Sequence, residues 1–344
     1  MITKKNVSLL EIVKLSGHHI AWLLLGASAI AYLYRAGIIA FTIPWLPVSV
    51  IGTAVAFYVG FKNNQSYDRM WEARKVWGGI VNDSRAWGMM VDGYVDGPRG
   101  SDDARAAETH ATKQRLVYRH IAWLYTHREQ LLAPMEWEHA SQGGLTAKFI
   151  RSNERRRGIG LVADEWHPDE VAQLLDPSEY ARLTAQANTA TQLINEQSRD
   201  LQVLRDEGRL NDFRHVEMVN VLRTFYTYQG QNERIKKFPL PRQYANISSY
   251  FVTIFLLLLP FSMIPALLNE GELGLWLCVP ITALVGWVYV MMEVIGDYSE
   301  NPFQRLAYDI PMLSLCRAIE IDLREMLGET DLPPGITSKN GVLM

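Results

Sequence analysis

Residues 44–87 read PWLPVSVIGTAVAFYVGFKNNQSYDRMWEARKVWGGIVNDSRAW. The first half of this stretch is apolar and opens on Pro44 and Pro47, whereas the second half mixes charged side chains with tryptophans. No proline follows Pro47 within the stretch, so no residue in it breaks a helix. The sequence therefore predicts one continuous helix that leaves a membrane and continues into a polar domain.

Apolar or small side chains recur every three or four residues along the first half of this stretch. Such positions share one helix face, and here they are Leu46, Val50, Thr53, Ala54, Phe57 and Phe61. Ordinary helix packing would also explain the stripe, because most helices need an apolar face. On spacing alone, both a packing role and a functional role stay open.

The composition points to a membrane protein. The chain has 344 residues, of which 48% are hydrophobic, and the apolar residues concentrate near its two ends. A net charge of −3 gives no general attraction for nucleic acid, so we expect no such partner. Cys278 lies inside an apolar run and Cys316 lies beyond it, so both are predicted to be reduced.

The apolar runs predict four membrane spans, at residues 20–40, 46–61, 250–268 and 273–295. Crossing a hydrocarbon core takes about 20 apolar residues, so the second run is short and suits a helix packed inside an assembly. The first run is too long for a signal peptide and reads as an uncleaved anchor. Basic residues, among them Lys4, Lys5 and Lys62, flank the runs, and the positive-inside rule then places both termini in the cytoplasm. The polar turn at 269–272 would lie outside.

The long middle of the chain shows helical periodicity and no alternating strand pattern. Helices are predicted at 105–132, from Pro177 to about Asp206, and from Leu210 to Tyr228, with His110, His120 and His127 on a solvated helix face. The fold class is therefore an all-α membrane protein with a helical cytosolic domain. The predicted segments are 1–91 with the first two spans, 92–244 as the cytosolic domain, 245–297 with the last two spans, and 298–344 as a C-terminal segment.

Two features near the fourth run involve acidic and amide side chains. Asn301 followed by Pro302 predicts a helix start, with asparagine as the cap and proline in the first turn. Glu293 is an ionisable residue at membrane depth, which makes it a functional candidate. Its neighbour Asp297 favours the alternative, in which Glu293 already lies among the lipid headgroups.

Three motifs stand out along the chain: GFKNNQSYDR at 60–69 with WEAR at 71–74, QNERIK at 231–236 with PLP at 239–241, and ENPF at 300–303 followed by Asp309. Together they resemble the signatures of prokaryotic bestrophin-like proteins. They occur in the family's order and span most of the chain. The resemblance implies a homopentamer around one central pore, in which the second span of each subunit forms an apolar neck and a cytosolic aperture follows.

The resemblance also assigns residues to this pore. The neck would be drawn from the six-residue stripe described above, and the aperture would fall shortly after Gly208, at Phe213. Asn63, Asn64 and Gln65 come directly after the stripe and are predicted to lie beside the pore. Neutral amides suit partly hydrated ions that leave an apolar constriction.

The predicted function is passive conduction of monovalent ions across the bacterial inner membrane, with a lean towards cations and with no cofactor. In eukaryotic family members the loop after ENPF is acidic and holds Ca²⁺, but here Arg305 and Leu306 occupy it, so we expect no calcium dependence. The alternatives are an anion channel of the same architecture and a non-conducting membrane scaffold. A membrane enzyme would need spaced metal-ligand pairs or a nucleophile motif, and the sequence contains neither.

Overall fold

The computed structural model describes residues 1–3, 9–96, 103–138, 141, 169–268, 271–306, 308–338 and 341–343, without the side chains of 9–15, 103–105 and 169. Lys4, Lys5 and the start of the predicted outer turn lie outside this range. The described residues form ten helices: α1 (Leu9–Arg35), α2 (Trp45–Tyr94), α3 (Asp103–Leu132), α4 (Asp169–Leu174), α5 (Pro177–Thr184), α6 (Thr189–Asp206), α7 (Asp212–Lys237), α8 (Arg242–Leu267), α9 (Gly271–Ser299) and α10 (Met312–Met326). Within the same range, an isolated bridge between Ile2 and Val342 is the one β-type pairing.

The predicted continuous helix is confirmed. α2 begins at Trp45, directly after Pro44, and runs without a break for 50 residues to Tyr94. Pro47 lies in its first turn, where a missing N–H costs no hydrogen bond. The chain divides into two compact units at Met70–Trp71, inside this helix.

The apolar unit comprises Lys4–Met70 and Pro239–Asn301. Its core is built from side chains of α1, α2, α8 and α9, among them Ala27, Val55, Phe255 and Cys278. Three helices among the described residues, α2, α8 and α9, are long and apolar enough to cross a membrane. α1, which carries most of the first predicted span, is not one of these three and ends at Arg35 rather than near residue 40.

The polar unit comprises Met1–Thr3, Trp71–Phe238 and Pro302–Met344. Its core packs the aromatic rings of α3 against those of its neighbours, as in the pair Trp123 of α3 and Phe225 of α7, whose ring centroids lie 5.0 Å apart. The prediction that His120 and His127 are solvated is wrong, since both are buried, whereas His110 is exposed. His120 Nε2 lies 2.9 Å from Ser84 Oγ.

Two local helix predictions are also wrong. The predicted helix from Pro177 to Asp206 is two helices, because the chain leaves helical geometry after Thr184 and Asn188 caps α6 by accepting from the Thr191 N–H at 3.1 Å. Asn301 and Pro302 start no helix. Phe303 after them adopts a positive φ of 73°, which is incompatible with a right-handed helix, and α10 begins only at Met312.

The buried histidines make the polar unit sensitive to acid. Burial lowers the pKa of His120 to about 3 and that of His127 to about 4, from an ordinary value of 6.5. Between these values and 6.5 the unfolded chain binds more protons than the folded chain, so stability falls as the pH drops. We expect each histidine to lower the free energy of unfolding by about 1.4 kcal/mol per pH unit below 6.5.

Thermal melts followed by circular dichroism at pH 7 and pH 5 measure this effect. His120→Gln with His127→Gln should flatten the pH dependence, and the exposed His110→Gln should leave it unchanged. A wild-type unfolding temperature that is the same at both pH values would contradict the burial of two neutral histidines.

Candidate functional site

One face of α2 in the apolar unit carries large apolar side chains that are exposed in the single chain. Leu46, Val50, Phe57 and Phe61 are 72%, 62%, 69% and 49% exposed, and Thr53 and Ala54 between them are exposed as well. At 3.6 residues per turn these six positions fall within an arc of about 100°. The six predicted neck residues therefore share one unpartnered face. The rings of Phe57 and Phe61 meet edge to face with centroids 4.7 Å apart.

The opposite face of the same helix packs inside the apolar unit. Val48, Val55 and Val59 are buried there in the common core. Gly52 lets two aromatic rings approach, since a Cβ atom at this position would lie 2.8 Å from the Phe255 ring. The helix thus has one face that packs within its own chain and one face that does not.

The three amides after the stripe point in different directions. Asn64 and Gln65 are exposed and continue the face of Leu46 and Val50. Asn63 instead packs on α9, where its Nδ2 donates to the carbonyl oxygen of Met292 at 3.0 Å. Two of the three predicted pore-adjacent amides therefore share the exposed face, and the third contacts α9 of the same chain.

A buried ion pair joins α2 to α9. Lys62 Nζ lies 2.6 Å from Glu293 Oε1, and the Lys62 side chain is only 1% exposed. Ser248 Oγ of α8 donates to the same carboxylate oxygen at 2.8 Å. The sequence interpretation missed this pair, because it treated Lys62 as a flanking cation and Glu293 as a headgroup residue. The signal was present, since both charges fall on apolar helix faces.

Phe213, the predicted aperture residue, lies in the first turn of α7 and is 90% exposed. Gly208, with a positive φ of 70°, allows the turn that ends α6, and Asn211 caps α7 by accepting from the Arg214 N–H at 2.9 Å. Glu217 is exposed on the same face one turn later. An apolar ring and a carboxylate therefore project together from α7.

The loop after Glu300 converges on one buried carboxylate. Asp309 accepts from the backbone N–H groups of Phe303, Arg305 and Ile310 at 3.0, 3.1 and 2.7 Å. Burial raises the pKa of Asp309, and these backbone hydrogen bonds oppose the rise. Lys236 Nζ donates to the Phe303 carbonyl oxygen at 3.4 Å. N–H groups that point inward do not provide the oxygen ligands that calcium requires.

No group of three or more histidine, cysteine or acidic side chains among the described residues could hold a metal ion. In the apolar unit the candidate features are an apolar helix face with a polar end and a buried ion pair behind that face. In the polar unit the candidate feature is an exposed phenylalanine beside a carboxylate.

Comparison with known proteins places this arrangement in a family. The model of the Bacterial/Fungal Bestrophin protein family matches residues 12–325. The voltage-dependent anion channel-forming protein YneE of Salmonella typhi is 26% identical over 287 residues, which cover 83% of this chain and 78% of the relative. YneE of Escherichia coli K12 is 25% identical over 306 residues, which cover 86% and 84%.

The fold agrees with that assignment. The crystal structure of a bacterial bestrophin homologue from Klebsiella pneumoniae superposes with a TM-score of 0.69 at 22% identity, covering 91% of this chain and 98% of the homologue. The helical architecture predicted from the sequence is confirmed by this likeness. Since the family model matches most of its length, the chain belongs to the bacterial and fungal bestrophin family and is a membrane ion-channel protein, not an enzyme.

Proposed function

We infer that five copies of this chain form a channel that conducts monovalent ions passively across the bacterial inner membrane. The observation that carries this proposal is the exposed apolar face of α2. Large apolar side chains in contiguous exposed positions mark a surface that another molecule or a membrane covers. The face turns polar at Asn64, Gln65 and Asp68 along the same line, as a pore lining does where ions regain water.

Four helices cross the membrane in this proposal, with α1 as the fourth span. Ala27 and Ala31 of α1 are buried in the same core as α8 and α9, and Trp22, Leu25 and Tyr32 are exposed on its other side. An apolar helix packed against two membrane spans, with aromatic side chains facing outward, suits lipid contact. An even number of spans places both termini on the same side of the membrane, and the basic residues that flank the spans make that side the cytoplasm.

The six exposed stripe residues of α2 form the neck, and Phe213 forms the aperture. An apolar neck selects by hydration and size, because it offers no ligand to a dehydrated ion. Asn64 and Gln65 provide donors and acceptors at the end of the neck, whereas Asn63 supports α2 from behind. This division follows the directions of the side chains on the helix.

The charge preference follows from carboxylates on the exposed faces. Glu217 lies one turn after Phe213, and Asp68 lies one turn after Asn64. In a pentamer each becomes a ring of five acidic groups, and such rings favour cations. Selectivity for anions is the second candidate, because the relatives from Salmonella and Escherichia coli are named anion channel-forming proteins.

Conduction is calcium-independent in this proposal. The loop that follows Glu300 is held by hydrogen bonds from backbone N–H groups to Asp309, so it does not need a cation to keep its shape. Arg305 adds a positive charge to the same loop. Both features oppose the binding of a divalent ion.

Two valines on opposite faces of α2 test the neck. Val50→Ala widens the constriction without leaving a buried polar group, so we expect a larger single-channel conductance in planar bilayers and an intact pentamer by native mass spectrometry. Val48→Ala is the matched control, since Val48 is buried. It should cost about 1–2 kcal/mol of stability and leave conductance unchanged. If Val50→Ala instead lowers stability and does not raise the conductance, the stripe serves ordinary helix packing and the neck assignment is wrong.

Glu217 tests the charge preference. Wild-type reversal potentials under asymmetric KCl should follow potassium, and Glu217→Gln should move them towards zero, because the ring of negative charge disappears. Glu217→Asp keeps the charge and should keep the preference. A wild-type reversal potential that follows chloride would establish the anion channel instead, and the absence of any current would favour the scaffold.

Asp309→Ala tests the calcium-free loop. We expect it to lower the unfolding temperature, because several buried N–H groups lose their acceptor at about 1–3 kcal/mol each. Calcium should not restore stability in the variant, and chelation should not change wild-type current. Current that vanishes on chelation and returns with micromolar calcium would overturn calcium independence.

A further inference from the structure

The packed face of α2 carries a charge where its neighbours are apolar. Val48, Val55 and Val59 precede Lys62 on this face, and all four side chains are buried. Lys62 is directly followed by Asn63, which contacts α9, and is preceded by the exposed Phe61. Successive residues of a helix point about 100° apart, so a change in the direction of Lys62 also changes the direction of Phe61.

Stability alone does not explain this ion pair. Replacing a buried pair with neutral groups of similar volume is often neutral or stabilising, whereas removing one partner leaves an uncompensated charge. Such a cost is large at membrane depth. The second oxygen of Glu293 is buried without a hydrogen-bond partner in the described part of the chain. Without Lys62, the Ser248 hydroxyl would remain as a donor to that carboxylate. A buried pair can instead specify one arrangement over others.

The other contacts of this face are weaker at specifying direction. Tyr289 donates to the Gly52 carbonyl oxygen at 3.1 Å, but every turn of α2 offers carbonyl oxygens. Apolar valines tolerate small rotations, because dispersion contacts have little directional preference. The ion pair specifies direction more strongly, because the Lys62 ammonium must lie within reach of the Glu293 carboxylate. No residue from Trp45 to Phe61 carries a charge that could take its place.

We propose that the Lys62–Glu293 pair, with Ser248, fixes the rotation of α2 about its axis and so selects which side chains of α2 face the pore. Lys62 and Glu293 are positioning residues in this view. They act through the stripe and do not touch the conducted ion. The part of the inference that concerns the pore rests on the proposed function, whereas the rotation itself does not.

The test variant removes both charges at once. Lys62→Met with Glu293→Gln leaves no buried charge and keeps a partner for Ser248, so the unfolding temperature and the pentamer should stay close to those of the wild type. Rotation should be less restricted, and the conductance should become lower or broadly distributed. The charge swap Lys62→Glu with Glu293→Lys restores the pair and should restore a single conductance level.

A disulfide measures rotation without any current. A Cβ atom at Gly296 would lie 3.8 Å from the Asn63 Cα atom, which suits a disulfide between Asn63→Cys and Gly296→Cys. The native Cys278 and Cys316 are buried and are replaced by alanine in all variants of this series. The rate of oxidative crosslinking then reports how often α2 presents residue 63 to α9.

The expected result is crosslinking about tenfold slower in the neutral double variant, which corresponds to about 1.4 kcal/mol of rotational preference. The charge swap should recover the wild-type rate. An unchanged rate in a folded neutral variant would overturn the proposal, as would slow crosslinking in a folded charge swap. If the neutral variant does not fold, the crosslinking rate of the charge-swap variant decides whether the proposal holds. If the wild type carries no current, the proposed function fails while the crosslinking rates still decide the rotation.

Discussion

An unbroken helix gives each of its side chains a fixed direction relative to the others. α2 continues from Trp45 to Tyr94 without a break, so it presents one face to its own subunit and one face outward in the apolar unit. Any contact that holds the packed face also determines the exposed one. The exposed stripe from Leu46 to Phe61 is therefore a consequence of packing on the other side of the helix, and Gly52 and Lys62 matter to it although neither lies on it.

Buried polar groups in this protein are held in two different ways. Lys62 meets an opposite charge and a hydroxyl group, which ties three helices together in the apolar unit. Asp309 in the polar unit meets backbone N–H groups of its own loop, which fixes Phe303 and Arg305 at positive φ. The first arrangement specifies how separate helices fit. The second specifies the path of a single loop.

The sequence was sufficient for features that depend on neighbours along the chain. The absence of proline after Pro47 was enough to predict α2, and the apolar runs placed both ends of α9 and the end of α8 within four residues. α8 begins at Arg242, eight residues before its apolar run. The sequence was insufficient where the deciding partner is distant. Lys62 and Glu293 are 231 residues apart, and the buried His127 lies against two residues far from it in the sequence, Trp77 of α2 and Asn232 of α7. The wrong helix start at Asn301–Pro302 has a similar origin, because the same residue types cap helices and form tight loops. Here the deciding partner is Asp309, which accepts hydrogen bonds from the backbone of the loop.

The side-chain sizes along the exposed face divide the proposed neck into bands. Leu46 and Val50 form one apolar band, the smaller Thr53 and Ala54 follow, and Phe57 and Phe61 form a second band whose rings support each other edge to face. The Thr53 hydroxyl donates to the Ser49 carbonyl oxygen of its own helix at 2.9 Å, so it offers little to a passing ion. Water would be least stable beside the two bulky bands and more stable between them. In the proposed neck the barrier to an ion would then be two short dry segments rather than one long one. The second of them would end next to Lys62, the residue proposed to fix the rotation of the helix.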